Sequence, residues 1–266
     1  MGRRPSSATV YVSRLTAYDQ SMRLRFFGTK GYVEEKSRAH SGHSAFTLET
    51  EGFRLLCDFG QNRKGLLKKI RPDAIFVSHA HPDHAWGLEE GTSVPVHASA
   101  ITHEITRDLP VRERVTLEPE RAMCVGPFRL TAFPVIHSVR CPCVAARIET
   151  RDLVLVYSGD VIAFERPEAA LPGANLYIGD GSTLKGSLVR RHASGALMGH
   201  TTVRAQLGWL GKYGVARAIF SHFGKGPIEM GEPALREALA ELAGEKAPGC
   251  RVSAARDGLT FVIEER

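Results

Sequence analysis

Apolar residues fall in short runs along the chain, cut by glycine, proline and acidic turns, and most runs are too short for helices. Arg23 to Phe27 alternates as a strand and ends at the turn signal Gly28-Thr29-Lys30-Gly31. Ala45 to Leu48 and Phe53 to Asp58 predict a hairpin around Glu51-Gly52. Gly65 to Ile70 predicts a short helix, and Ala74 to Val77, four residues of strand character, a buried strand. Val94 to His97 predicts another strand. Ser99 is a candidate N-cap for a helix with Ile101, Ile105 and Leu109 on one face. Phe128 to Phe133 alternates as a half-buried strand, and Val144 to Ile148 and Leu153 to Tyr157 flank the polar turn Glu149 to Asp152. Two helices are expected to close the chain, one striped by Val203, Leu207 and Leu210, the other by Leu235, Leu239 and Leu242 behind Pro233.

One internal echo stands out. Ala74-Ile75-Phe76-Val77-Ser78-His79 recurs, one residue shorter, as Ala218-Ile219-Phe220-Ser221-His222. It suits two similar β-rich halves, each delivering polar side chains from strand ends. No linker, low-complexity run or long repeat divides residues 22 to 266, which are read as one domain.

Composition adds limits rather than direction. The 266 residues are 43% hydrophobic and 24% charged, ordinary for a globular chain. No apolar run approaches the roughly 20 residues of a membrane span. The net charge of +6 suits an anionic substrate as well as a solvated surface. Five cysteines, odd in number and without zinc-ribbon spacing, read as reduced thiols packed as small apolar residues in a cytoplasmic protein. Residues 1 to 21 form an N-terminal extension rich in Arg and Ser, with Asp19 its only acid. A transit-like segment, a disordered tail and a non-native start upstream of Met22 stay open for it.

The densest chemistry is Ser78-His79-Ala80-His81-Pro82-Asp83-His84, at the C-terminal end of the Ala74–Val77 strand. Imidazole and carboxylate are zinc-type ligands. Four buried polar side chains packed this closely would otherwise each need another partner. Further candidates follow other strands: His137 after Ile136, Asp160 after Ser158-Gly159, and His222 at the end of the echo.

In this order, these residues strongly resemble the metallo-β-lactamase superfamily. The resemblance implies a single-domain α/β fold, a four-layer αββα sandwich, with a dinuclear centre at its edge. His79, His81 and His137 would hold one metal; Asp83, His84 and His222 the other; Asp160 would bridge. Two divalent cations roughly 4 Å apart bring the pKa of a shared water toward neutrality. The imidazole-rich set favours Zn2+, with Mn2+ or Fe2+ as alternatives.

Leu197-Met198-Gly199-His200-Thr201-Thr202, followed by a helix and the 218–224 run, is similar to the tRNase Z branch, which smaller cyclic-phosphate phosphodiesterases partly share. Asp180, in Gly179-Asp180-Gly181-Ser182, stands where that branch has a glutamate. The implied activity is hydrolysis of a small phosphodiester: a cyclic nucleotide, a nucleotide-like ester or short RNA. A metal-activated hydroxide, with Asp83 among its ligands, would attack phosphorus, and His200, held by Asp180, would donate a proton to the leaving oxygen. Twenty positions separate Asp160 from Asp180, too few for the branch's long tRNA-gripping arm. A tRNA 3′-processing endonuclease is therefore a second alternative, after a carboxylic ester, lactone or thioester hydrolase on the same centre. A nucleic-acid partner is not favoured, a membrane is not expected, and a homodimer is compatible with the branch. A non-catalytic nucleic-acid binder with a structural metal rests on the positive charge alone.

Other residues carry weaker expectations. Lys225 and Arg140 could face a phosphate, and His40 and His43 could line the site. Thr183 and Lys185 could order the surroundings of Asp180. His97, His103 and His192 are expected to be structural or solvated, and Trp86 to pack in the core.

Overall fold

A computed structural model describes residues 21–264. The predicted extension over residues 1–21 lies outside them except at Ser21, where the first strand begins. The first half runs β1 (Ser21–Gly28), β2 (Ala45–Thr50), β3 (Phe53–Cys57), α1 (Leu67–Ile70), β4 (Ala74–Val77), α2 (Pro82–Ala85), β5 (Val96–Ala98), α3 (Ala100–Ile105) and β6 (Arg114–Thr116). The second runs β7 (Ala122–Val125), β8 (Phe128–Ile136), β9 (Cys143–Glu149), β10 (Val154–Tyr157), β11 (Ala163–Phe164), α4 (Pro167–Ala170), β12 (Leu176–Asp180), β13 (Arg190–Arg191), β14 (Leu197–Met198), α5 (Val203–Tyr213), β15 (Arg217–Ser221), α6 (Lys225–Met230), α7 (Glu232–Lys246), β16 (Arg251–Ala254) and β17 (Thr260–Glu264).

Among the described residues, two large sheets form. One has the order β17-β1-β2-β3-β4-β5-β6, the other β11-β8-β9-β10-β12-β15-β16, with β7 paired to β8. Strand alternation explains how they stack. In β4, Ala74 and Phe76 enter the core between the sheets, with Leu24, Leu130 and Ile178, while Ile75 and Val77 point to the opposite face, against Leu67 and Ile70 of α1. In β12, Leu176 and Ile178 face inward and Tyr177 faces α5 and α7, through Leu207, Leu210, Leu235 and Leu239. The result is the expected αββα sandwich. The echo strands β4 and β15 fall one in each sheet.

Several local expectations change. The chain does not close on helices: β16 and β17 follow α7, and β17 returns antiparallel to β1. A contact made by the chain's far end left no trace in local pattern. Ser99 does cap α3, accepting from the Thr102 N–H at 3.2 Å. The helix ends at Ile105, however, so Leu109 lies beyond it, and Ile101 and Ile105 are 44% and 38% exposed while Thr102 is buried. Thr102 satisfies its hydroxyl with Ser99, and Thr106 Oγ1 donates to the Thr102 carbonyl, so the polar face can turn inward. The predicted 94–97 strand begins at Val96 instead. Between Phe128 and Phe133 only Arg129 is exposed, because Phe128, Leu130 and Ala132 pack between the sheets while Phe133 packs in the cluster on the opposite face. Trp86 is 36% exposed, its indole N–H donating to the Ala80 carbonyl, and is not a core residue. All five cysteines are free; Cys57 and Cys143 are buried, but Cys124 is exposed.

Candidate metal centre

The seven predicted ligands meet where the C-terminal ends of β4, β8, β10 and β15 converge. His81 has an extended backbone, as the residue before a proline must, and Pro82 starts the single turn α2. His79 and His81 therefore project from extended chain, and the helical turn carries Asp83 and His84 to the other side of the cluster. His137 directly follows β8. Asp160 is placed by Gly159, whose φ of +58° and contact with Cys143 Sγ exclude a larger residue. His222 directly follows β15 with φ of 57°, and its ring lies against Gly31, where an added Cβ would sit 2.9 Å from the imidazole.

Two groups of atoms emerge. His79 Nε2 and His137 Nε2 lie 3.0 and 3.2 Å from His81 Nδ1, and each lies 3.6 Å from Asp160 Oδ2. Asp160 turns its other oxygen, Oδ1, to His84 Nε2 at 3.1 Å and His222 Nε2 at 3.4 Å. Asp83 Oδ2 completes this second group, 3.0 Å from His222 Nε2 and 3.7 Å from His84 Nε2. Ligand–metal bonds of ~2.0–2.1 Å in a tetrahedron put neighbouring ligand atoms about 3.3 Å apart. The observed 3.0 to 3.7 Å brackets that spacing. His84 Nε2 and Asp160 Oδ1 are buried and, despite their 3.1 Å approach, make no aligned hydrogen bond with any partner. Two orphaned buried atoms this close, in the second group, fit a divalent cation held there. The His79, His81, His137 and Asp160 set could hold one, and the Asp83, His84 and His222 set, sharing Asp160, the other.

The electrostatics agree. Burial pushes the His79 imidazole well down and His137 to about 4, so both are neutral donors. Burial also works against charge on His84 and His222, but facing carboxylates outweigh it: Asp160, Asp83 and Asp58 raise His84, and Asp160, Asp180 and Asp83 lift His222 to about 10. Burial opposes ionisation of Asp83 too, yet His84 and His222 hold it near 2. The same carboxylates that retain a proton there would retain a cation in its place.

His200 stands beside the cluster. Its Nδ1 donates to Asp180 Oδ2 at 2.7 Å, and its ring stacks on His222 with centroids 5.5 Å apart. Burial lowers its basicity, but the Asp180 charge and hydrogen bond win, and its pKa rises. Asp180 is fully buried and fixed by Gln206, whose side chain accepts from the Asp180 N–H and donates to its carbonyl. Leu207, Leu210 and Val203 press Gln206 and α5 against β12.

Two residues escaped the sequence reading. Asp58, after β3, accepts from Ser78 N–H and Oγ, from Tyr157 OH and from His84 Nδ1. Ser182 Oγ donates to Asp180 Oδ1 at 2.6 Å and accepts from His222 Nδ1 at 3.0 Å. A polar residue directly after the buried strand β3 was the available signal for Asp58; Ser182 lies two residues past β12 and carried no such signal. Ser182 takes the place expected for Thr183 and Lys185: Thr183 bonds the Gly186 carbonyl, and Lys185 reaches Glu241. His40 and His43 are buried but do not line the groove; His40 bonds Thr29 and packs edge-on against Phe223, and His43 packs beneath Tyr32 and Gly60. Arg140 is exposed and also absent from the groove wall. Lys225 lines it, paired with Glu35 at 2.8 Å. His97 is buried, His103 bonds the Val115 carbonyl, and His192, half-buried, bonds the Ser194 hydroxyl.

The groove over the cluster measures about 600 Å3 and is bordered by His81, Asp83, Asp160, His200 and His222. No helix among the described residues is long and apolar enough to cross a membrane.

Four layers with a histidine–aspartate cluster at one edge define a class of metal-binding α/β sandwich. A family model described as a β-lactamase superfamily domain matches residues 55–223, and the chain belongs to that family. A ribonuclease Z of Methanopyrus kandleri is 30% identical over 149 residues, 50% of this chain and 52% of that protein. The chain spans about half the length of the curated relatives it matches. Among solved structures, the metallo-β-lactamase fold protein YhfI of Bacillus subtilis aligns with a TM-score of 0.72 at 18% identity, covering 92% of this chain and all of that one. A diphosphatase of the PhnP family aligns at 0.66 and 16%, covering 92% and 98%.

Proposed function

We propose that the protein is a dinuclear metal-dependent phosphodiesterase acting on a small phosphodiester. The observation that carries this reading is the Asp180–His200 pair, joined at 2.7 Å, with Asp180 buried behind and His200 on the wall of the groove beside Asp160 and His222. A phosphate ester with a poor leaving group needs a proton on that oxygen, whereas a lactone or thioester does not. Bound in the two ligand sets, divalent cations would lower the pKa of a water and neutralise charge on phosphate oxygens. The chain's own residues do the rest. Asp180 accepts from His200 Nδ1, which leaves Nε2 to carry the proton for the leaving oxygen. Stacking on His222 fixes the ring plane. Names among the relatives, ribonuclease Z and diphosphatase, also denote cleavage of phosphorus–oxygen bonds.

Ribonuclease Z-type processing of tRNA is a second reading, supported by the relatives' name. Against it, the chain from Asp160 to β12 holds only the two-residue β11 and the four-residue α4, with no extended arm.

Zinc-loaded protein should hydrolyse bis-p-nitrophenyl phosphate in preference to a lactone and thioester panel. His200→Ala should lose roughly 10²–10⁴-fold in turnover of a 2′,3′-cyclic nucleotide, whose alkoxide leaves poorly, and far less on the p-nitrophenyl ester, with its metal content intact. Hydrolysis confined to lactones or thioesters, or metal loss parallel to activity loss, would overturn the reading.

A further inference from the structure

The groove has a second wall that the hydrolytic chemistry does not use. Tyr32 is 67% exposed and borders the groove together with Val33, Leu188 and Pro227; Leu188 is itself 43% exposed. An exposed tyrosine is ordinarily mobile, but this one is mounted on fixed backbone. The Gly31 N–H donates to the Phe223 carbonyl at 3.0 Å, and Gly31 lies against the His222 ring. Lys30 holds the Val33 carbonyl from the other side. Tyr32 is thus gripped on both sides by residues tied to the candidate metal centre. Its ring touches His43 at 5.8 Å between centroids, and its hydroxyl bonds no other described residue. Charge is nearly absent from this wall. Lys225 is the one lysine or arginine among the lining residues, and its ammonium is already shared by Glu35 and Glu229. A second phosphate would find no uncommitted cation there.

We infer that Tyr32, backed by Val33, Leu188 and Pro227, is a stacking subsite for a flat aromatic group on the retained ester of a substrate with one phosphate, as in a nucleoside monophosphodiester. This rests on the phosphodiesterase reading and narrows it. Aromatic faces stack on bases at about 1–3 kcal/mol each, irrespective of base identity. A polyphosphate or a long polyanion would draw nothing from such a wall.

Thymidine 5′-(p-nitrophenyl phosphate) and methyl p-nitrophenyl phosphate release the same leaving group and differ only in the retained ester. Tyr32→Ala should lower kcat/KM for the nucleoside ester by about 5- to 100-fold, that of the methyl ester by under twofold, and Tyr32→Phe should keep the preference. Equal losses on both esters, or none on either, would overturn the subsite. A parallel calorimetric titration with thymidine 5′-phosphate and methyl phosphate separates the two readings. If neither ester is hydrolysed, the phosphodiesterase reading fails. Tighter binding of the nucleoside phosphate, abolished in Tyr32→Ala, still supports the subsite, and equal binding in wild type overturns it.

Discussion

Asp58 accepts the Nδ1–H of His84 at 2.7 Å, across 26 residues of chain, and so leaves His84 Nε2 as the atom aimed at Asp160. One carboxylate oxygen, Oδ2, serves His84, Ser78 and Tyr157 together, and all of these groups are buried. Such outer partners tune ligands by fixing their tautomer.

Asp58→Asn should therefore weaken the second cation by about 10- to 100-fold, with less effect on the first. Competition titration with a chromophoric chelator reads the two affinities separately. The variant should also unfold at lower temperature, because an amide cannot accept at all the positions the carboxylate serves. Unchanged affinities would remove Asp58 from the account of the centre.

Ser182 and His200 should separate cleanly. Ser182→Ala deprives His222 Nδ1 of its 3.0 Å acceptor and should lower second-site affinity by about 10-fold or more. His200→Ala should leave both affinities within about twofold while turnover collapses, since His200 is not among the seven converging ligands. Metal content by plasma emission, measured beside turnover, checks both. Equal metal loss in the two variants would contradict the division of roles.

Stability should fall on the acid side for a reason unrelated to the metal centre. Burial depresses the pKa of His97 on β5 and of His103 on α3 below the ordinary 6.5. As pH falls below about 6.5, the unfolded chain takes up these protons before the folded one does. The stability is thus fully present above pH 6.5 and is lost as pH drops toward the lower folded values. Thermal unfolding between pH 7 and pH 5 should show a declining midpoint, and His97→Gln should flatten the decline. A midpoint slope identical in the variant would count against the assignment.

Much of the centre was legible because it is local or sits at strand ends. His79 to His84 declare themselves by spacing, their division between two metals was implied by the family resemblance, and the turn at Pro82 that places them came with the structure. His137, Asp160 and His222 each follow a recognisable β-run. Asp58 was hidden because its partner Tyr157 lies 99 residues away in the facing sheet. Ser182 was hidden because its neighbours His200 and His222 arrive on separate elements, and a serine beside a glycine reads as an ordinary turn.

Alternation and turn chemistry thus determined the short strands and the helices, and the histidine run a metal-type cluster; the four-layer sandwich was implied by the family resemblance. Only the packed structure decided which oxygen of Asp160 faces which imidazole, and that β17 returns to β1 after the last helix. Only it turned Thr102 rather than Ile101 and Ile105 inward, and placed Tyr32 over the groove. Periodicity is a property of a few neighbouring residues, whereas a side chain's partners are set by what the rest of the chain delivers to the same space.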